Sequence, residues 1–563
     1  MIWAMLLLAA QLGSGALTGT VRDRAGAVVP GATVTVTDSA RGTSRVVAAT
    51  RAGVYTVSSL PPSTYEVRVE LTGFRPAVRQ GIRLGTGATV AVDVTLELGA
   101  IAEAITVTGD APALRIATAG LGEIVTTEKI TGLPLNGRTF VTLAALAPGV
   151  ALPPASQLPR INGGRPRTNE YLFDGISVLQ PEPGQVAFFP VIDAIQEFKI
   201  ESNSPPAEFG RFNGGVVNLT TKSGSNQVHG DGFEFWRNQA LNARNYFSST
   251  VPDKALFRRN QYGGTLGGPL LQNRTFFFVD YQGQRQTIGR TVISTVPTVL
   301  QRQGIFTEAI AGRVPQIFDP ATGASNRSAF ANNTIPAARM DPIAVALLQR
   351  YPLPTAAGTA NNYRRTDNEV DNQDQFDIRV DHRFGARDQA FARVSYFRDG
   401  FVPVTPLPDG SGVTTGTLGP QETTAWSTAT NYQHTFSDRW LNELRVGDTR
   451  RAVDRTAAQL ATTAGVALNI PGIPTTAQFP NTLPTLQISG YQQLGSPANA
   501  ASDFSTSVTE IADSLSWLKG RHSIKMGADL RWERLNVIQP PSPTGLFTFT
   551  NLFSDQPGVA NTG

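Results

Sequence analysis

Apolar and polar residues alternate along most of this chain, in two textures. Between Leu17 and about Leu98 the runs are short: Ala32-Thr-Val34-Thr-Val36-Thr37 and Tyr65-Glu-Val67-Arg-Val69-Glu70 are separated by Gly- and Pro-containing breaks. A period of two with frequent turns predicts a small β-sandwich, each sheet burying one face. Beyond Asn226 the runs lengthen. Phe376-Asp-Ile378-Arg-Val380-Asp-His382-Arg-Phe384, Trp440-Leu-Asn-Glu-Leu444-Arg-Val446 and Ile524-Lys-Met526-Gly-Ala528-Asp-Leu530-Arg-Trp532 set an apolar series against a polar one. The pattern predicts strands near 227–238, 257–269, 275–285, 373–385, 389–399, 421–436, 440–452, 504–519 and 522–536.

The links between these strands alternate in length. Turn-like links (Leu271-Gln-Asn273-Arg274, Gly385-Ala-Arg387-Asp388, Ser437-Asp438-Arg439, Lys519-Gly520-Arg521) follow every second strand, and long segments follow the others, the longest from about Gln286 to Asn372. Ordinary domains rarely join paired strands by such lengths. A membrane β-barrel does, with short turns on one side and long loops on the other, and it needs one lipid-facing and one polar face per strand. Within the longest loop, Asp341-Pro342 ahead of Ile-Ala-Val-Ala-Leu-Leu predicts a short helix capped by the aspartate.

Composition narrows the chemistry. Charged residues are 16% of 563, below the roughly 25% usual for soluble proteins. The net charge of +4 comes without a dense basic block, which argues against a nucleic-acid partner. Cysteine is absent and the four histidines are far apart, so neither a metal centre nor a cofactor is expected. Asp371, Asp374, Asp377 and Asp381 lack the spacing of a calcium loop and read as one polar strand face at a pore mouth. No Gly-x-Ser-x-Gly, His-Glu-x-x-His or Walker-type loop occurs, so an enzyme is not expected. The apolar run Ile2–Ala10 followed by Ser14-Gly15-Ala16 reads as an export signal over residues 1–16.

Particular motifs add a resemblance. Gly19-Thr-Val21-Arg-Asp23, Pro30-Gly31-Ala-Thr-Val34, Gly53-Val-Tyr55, Leu60-Pro61-Pro62 and Gly73-Phe74 make residues 17–98 similar to a carboxypeptidase-regulatory-like domain, a transthyretin-like sandwich. Ser63 stands where that family usually has glycine. Residues 99–225 resemble the plug of TonB-dependent receptors through Ile192-Asp-Ala-Ile195-Gln-Glu197-Phe198 and Ala207-Glu208-Phe209-Gly210-Arg211-Phe-Asn-Gly214-Gly215, with the exit Thr221-Lys222-Ser-Gly224. Leu133-Pro-Leu-Asn136-Gly137-Arg138, Asn162-Gly163-Gly164-Arg165 and Phe173-Asp174-Gly175 are similar to the Oar-like subgroup of that family.

The resemblance implies a mainly β fold: a transthyretin-like sandwich, an α+β plug, and over residues 226–563 about nine or ten antiparallel strands of a barrel that closes with ~22 in such receptors. A barrel truncated at its C-terminal side is therefore expected. The implied function is uptake of a scarce solute, an unknown small molecule, oligosaccharide or peptide, across the cell outer membrane. Its partners would be membrane lipid and a TonB-type periplasmic energy-coupling protein. Glu103-Ala104-Ile105-Thr106-Val107-Thr108 is the candidate coupling segment, and it reads equally as a last sandwich strand or a first plug strand. Arg165, Asp174, Glu197, Glu208 and Arg211 are candidate plug–barrel contacts, the alternative being solvated plug charges; Gly214 and Gly215 mark a backbone bend or close approach. A competing function is a surface adhesion or structural protein whose sandwich binds a partner while the barrel anchors it.

Overall fold

The computed structural model of the chain describes residues 14–99, 105–108, 121–133, 135–153, 156, 158–181, 184–243, 254–458, 468, 470–473, 483–520, 522–559 and 562–563. Most of the expected export signal, together with Glu103 and Ala104, lies outside these residues.

The N-terminal sandwich is built from β1 (Gly15–Asp23), β2 (Thr33–Asp38), β3 (Ser44–Ala48), β4 (Val54–Leu60), β5 (Ser63–Glu70), β6 (Ala77–Leu84), β7 (Thr89–Ala91), β8 (Val94–Leu96) and β9 (Ile105–Thr108). One sheet runs β4-β1-β7 with β8 also on β1; the other runs β3-β2-β5-β6-β9. Alternate residues meet between them: Leu17, Val21, Val34, Val36, Val67 and Val69 are buried. Tyr55 and Tyr65 are buried too, and each hydroxyl donates to a backbone carbonyl, of Val92 and Pro61, at 2.7 Å. A buried phenol without such an acceptor would be costly. β9 pairs in parallel with β6, Ala77↔Ile105 to Gln80↔Thr108, so the hydrogen-bonded sheet continues past Leu98.

The plug follows. β10 (Leu121–Thr126) leads into the short helices α1 (Thr127–Gly132) and α2 (Val141–Ala144); then come β11 (Glu170–Phe173), β12 (Ile176–Ser177), β13 (Ile195–Asn203) and β14 (Val216–Thr221). They form a sheet in the order β10-β13-β14-β11-β12. All four residues of β11 and all six of β14 are buried, so these strands lie inside the molecule. Their apolar side chains pack with Phe140, Phe188 and Phe198.

Nine strands make the third body: β15 (His229–Asn238), β16 (Phe257–Leu271), β17 (Thr275–Ser294), β18 (Tyr363–Arg383), β19 (Asp388–Val402), β20 (Gln421–Ser437), β21 (Trp440–Arg455), β22 (Ser502–Lys519) and β23 (His522–Ile538). Each pairs with its sequence neighbour, antiparallel throughout, in one open sheet. Every strand the alternation predicts is present. Several are longer than predicted: β17 and β18 stay paired from Thr275↔His382 to Ser294↔Tyr363, so the loop expected from Gln286 begins only after Ser294. The outward positions of that extension include Thr287, Gly289 and Thr291, which is why no apolar alternation announced it.

The long loops pack on one another. Val296, Tyr351, Leu407 and Leu486 share a small core, and the Arg302 guanidinium donates to the carbonyls of Leu348, Tyr351 and Pro352. The expected loop helix is α4 (Pro342–Leu348, after α3 at Val299–Arg302), with the Asp341 carboxylate accepting from the Ile343 and Ala344 N–H groups. At the opposite, short-turn end sits the sandwich. Arg383 donates to the Ser44 carbonyl, Arg45 to the Gln433 side chain, and the Thr50 hydroxyl to the Gly520 carbonyl at 3.3 Å.

Candidate functional site

The plug hairpin β11–β12 turns through Asp174 and Gly175 alone, both at positive φ (50° and 82°). A two-residue hairpin loop of this twist favours Asp-Gly because aspartate tolerates the left-handed region and glycine has no Cβ. Here the aspartate serves a second purpose. Its carboxylate accepts from Arg379 of β18 at 2.9 Å and from the Thr221 N–H and hydroxyl at 3.0 and 2.8 Å, and it forms an ion pair with Arg393 of β19 at 2.9 Å. Arg393 is among the largest fully buried side chains and also donates to Ser395. Arg379 lies over the Phe391 ring, 4.1 Å from its centroid.

A second cluster grips the other end of the hairpin. Glu170 accepts from Arg531 of β23 at 2.8 Å and from the Ser177 hydroxyl at 2.6 Å. Arg531 also meets Glu510 of β22 at 3.1 Å, while the Ser177 N–H donates to Glu510 at 2.9 Å. Further along the plug, Glu208 pairs with Lys525 and Arg211 with Glu533 at 2.6 Å, both partners on β23. At Gly447 of β21 an added Cβ would fall 2.4 Å from Ile176 Cγ2, so the wall is thinned where the hairpin touches it.

The five candidate contact residues therefore separate. Asp174, Glu208 and Arg211 lie against barrel strands. Glu197 faces the sandwich: its carboxylate accepts from the Thr86 N–H, and burial pushes its pKa above the usual carboxylate range, opposed by that hydrogen bond. Arg165 is exposed, with its carbonyl accepting from the Thr168 hydroxyl. Gly214 and Gly215 are sites of close approach: a Cβ would stand 2.0 Å from Asn169 Oδ1 and 2.6 Å from the Glu201 carbonyl oxygen, respectively. Of the candidate coupling segment, Ile105–Thr108 forms β9 on the sandwich edge, and Glu103 and Ala104 lie outside the described residues.

Sequence reasoning missed Glu170, Arg379, Arg393, Glu510 and Arg531. For Arg379, Arg393 and Arg531 the only signal was phase, because each stands in the polar series of its strand; Glu170, in the buried run Glu-Tyr-Leu-Phe, carried none. It also treated the acidic run as a single face. Strand geometry divides it: Asp371, Asp377 and Asp381 share one face, whereas Asp374 lies on the other and meets Arg285 at 2.8 Å and the Tyr281 hydroxyl at 2.7 Å. Among the described residues no cluster of His, Asp or Glu is arranged to hold a metal ion.

Above the hairpin, towards the long loops, the plug and strands enclose a cavity of about 700 Å³. Its floor includes Arg138, Phe188 and Phe189 of the plug, and its wall includes Gln261, Gln284 and Gln375.

The burial of the nine-stranded sheet is inverted relative to a water-soluble domain. Ser395, Ser427, Thr449, Glu510 and Ser514 are 0% exposed, while Ile378, Trp426, Val446, Leu530 and Trp532 are 42–50% exposed on the opposite face. Polar inside and apolar outside is the arrangement that lipid requires. In agreement, residues 220–562 match the family model described as "Outer membrane beta barrel domain". The chain belongs to that family. Residues 16–97 match the carboxypeptidase regulatory-like domain model. The outer membrane beta-barrel family fixes the location of the protein as the outer membrane.

Among curated proteins the chain is similar to the TonB-dependent transporter Oar of Myxococcus xanthus, 32% identical over 284 residues. That match covers 48% of this chain and 26% of the relative, so the chain spans about a quarter of that relative's length. Solved structures with a similar fold include the Escherichia coli outer membrane transporter YddB (13% identity, TM-score 0.47, 74% of this chain and 48% of that one). Another is the E. coli K12 ferric-catecholate import receptor Fiu (13% identity, TM-score 0.39, 79% and 64%).

Proposed function

We propose that the protein is a TonB-dependent outer-membrane transporter that takes up a scarce solute when an energised periplasmic protein of TonB type pulls on the plug. The observation that carries this reading is the charged grip on the β11–β12 hairpin. A plug must be held yet released. Charged groups leaving a dry contact regain hydration, which offsets part of the loss of their pairing. Apolar packing of the same extent would offer no such return.

With the long loops outside, the sandwich lies on the periplasmic side, which supports transport over adhesion to an extracellular partner. Glu103–Thr108, between sandwich and plug, remains the coupling segment we propose. Main-chain pairing of an extended segment with a partner strand supplies affinity without a side-chain pocket. Asp174, Glu208 and Arg211 then act as the plug–barrel contacts that yield.

Deleting Glu103–Thr108 from the intact protein tests the reading. Energy-dependent uptake should be abolished while binding of the solute at the cell surface persists. Uptake that continues unchanged removes the coupling assignment.

A further inference from the structure

The sandwich reaches inside the rim of the nine-stranded sheet. Arg383, Gln433 and Glu443 stand on the inward side of β18, β20 and β21, in a cross-strand row near the short turns. All three are bonded to the sandwich: Arg383 to the Ser44 carbonyl, Gln433 to Arg45, and Glu443 to the Ser59 hydroxyl at 2.8 Å. Ser59 and Glu443 are 0% and 1% exposed. Ser59 makes its bond from a left-handed backbone, φ 54°, a region uncommon for residues with a Cβ and kept where the surroundings impose it.

The same body meets the plug. The Thr86 N–H donates to Glu197, the Thr86 and Thr220 hydroxyls share a hydrogen bond at 2.9 Å, and the Lys199 ammonium donates to the Gly87 carbonyl at 3.3 Å. Thr220 adjoins Thr221, a donor to Asp174. A void of about 120 Å³ is lined by Pro61, Pro62 and Tyr65 of the sandwich together with Asp174 and Arg379. The sandwich thus walls the space beside the ion pair that holds the plug hairpin. Attraction between charges falls as the dielectric rises, so water admitted there loosens the hairpin.

These contacts can part. Among the described residues the apolar core of the sandwich contains sandwich residues alone, whereas the plug core includes Ala425 and packs against Phe397 of the barrel strands. Hydrogen bonds, not a shared apolar core, dock the sandwich, and domains joined by a polar interface move relative to one another.

We propose that the sandwich is a periplasmic lid over the plug. Docked, it keeps the Asp174–Arg379 contact dry, and the hairpin is freed only after the sandwich has left. The proposal adds an order of events to the transport reading and rests on it for its purpose.

The test is hydrogen exchange at the Thr221 amide of the detergent-solubilised intact protein. The chain has no cysteine, so Thr50→Cys and Gly520→Cys together introduce its only thiols. The Thr50 hydroxyl lies 3.3 Å from the Gly520 carbonyl oxygen, and a Cβ at Gly520 meets open space. A short bifunctional thiol reagent then ties the lid to the rim. The reference is the same double variant with each thiol capped singly, so any strain at the turn cancels. Bridging should slow exchange at Thr221 tenfold or more. Ser59→Ala, which frees the lid from Glu443, should accelerate Thr221 by the same factor as the β4 amides, because an opening that requires an earlier one inherits its cost.

Exchange at Thr221 indifferent to bridging overturns the proposal. So does slowing that extends equally to the loop core around Tyr351 and Leu407, or faster exchange of β4 with Thr221 unchanged in Ser59→Ala. Should Ser59→Ala fail to fold, the bridged protein decides alone. The measurement involves neither solute nor energised partner. The lid can therefore fail while uptake still depends on Glu103–Thr108, and that dependence can fail while the lid stands.

Discussion

Replacing Asp174 by asparagine removes one negative charge from between two arginines and changes little else. Asparagine accepts the positive φ of 50° at this turn as readily as aspartate does. The carboxylate is 1% exposed, and Arg379 and Arg393 beside it are 7% and 1% exposed. The substitution therefore leaves buried guanidinium charge short of its partner. Breaking a buried pair in this way costs about 3–5 kcal/mol. Asp381 still pairs with Arg379 at 2.9 Å and the amide oxygen keeps one acceptor, so the lower end, about 3 kcal/mol, is expected. Hydrogen exchange of the Thr221 amide, which donates to this carboxylate, reads the effect directly. At about 1.4 kcal/mol per tenfold, its exchange through local opening of the plug should accelerate about a hundredfold. The loop core around Tyr351 and Leu407, at the far end of the strands, should exchange as before. Unchanged protection at Thr221 in a folded Asp174→Asn protein would refute the view that this ion cluster holds the hairpin.

Other expectations follow from the same contacts. Ser59→Ala removes the hydroxyl that donates to the buried Glu443 carboxylate at 2.8 Å, and should weaken docking of the sandwich by about 1.5–3 kcal/mol, read as faster exchange of β4 amides. Gly215→Ala drives a Cβ to 2.6 Å from the Glu201 carbonyl oxygen and should destabilise the plug by about 1–3 kcal/mol, seen as increased cleavage of the plug by trypsin in detergent. Burial raises the Glu197 pKa in the folded protein, so the folded state holds its proton more tightly than the unfolded one. Stability from this group is thus present at acid pH and declines as pH rises from the unfolded pKa through the folded one. Glu197→Gln should flatten that part of the pH–stability profile, measured by urea denaturation of the sandwich–plug contact.

The order of the bodies and all nine strands were legible because each strand obeys a constraint visible at every second residue. Asp174-Gly175 was legible as a turn for an equally local reason. What the aspartate touches was not. Arg379 and Arg393 look like any other polar residues of their strands, and only the packing of the plug against the open sheet brings them to one carboxylate. The same holds for Glu197, whose partner Thr86 belongs to a different domain. The upper parts of β17 and β18 escaped notice because polar residues such as Thr291, Arg364 and Thr366 occupy the outward series there, which erases the period.

β17 alone is 20 residues long. At ~3.4 Å per residue and a tilt near 40°, such a strand climbs about 50 Å, twice the ~25 Å apolar band that a bilayer asks a barrel to present. The wall consequently rises as a stiff hydrogen-bonded chimney above the headgroups, with its loops knotted together at the rim. Proteases or antibodies applied to whole cells would meet this rigid collar before any slack polypeptide, and a solute descending through it would be committed well before reaching the level of the lipid.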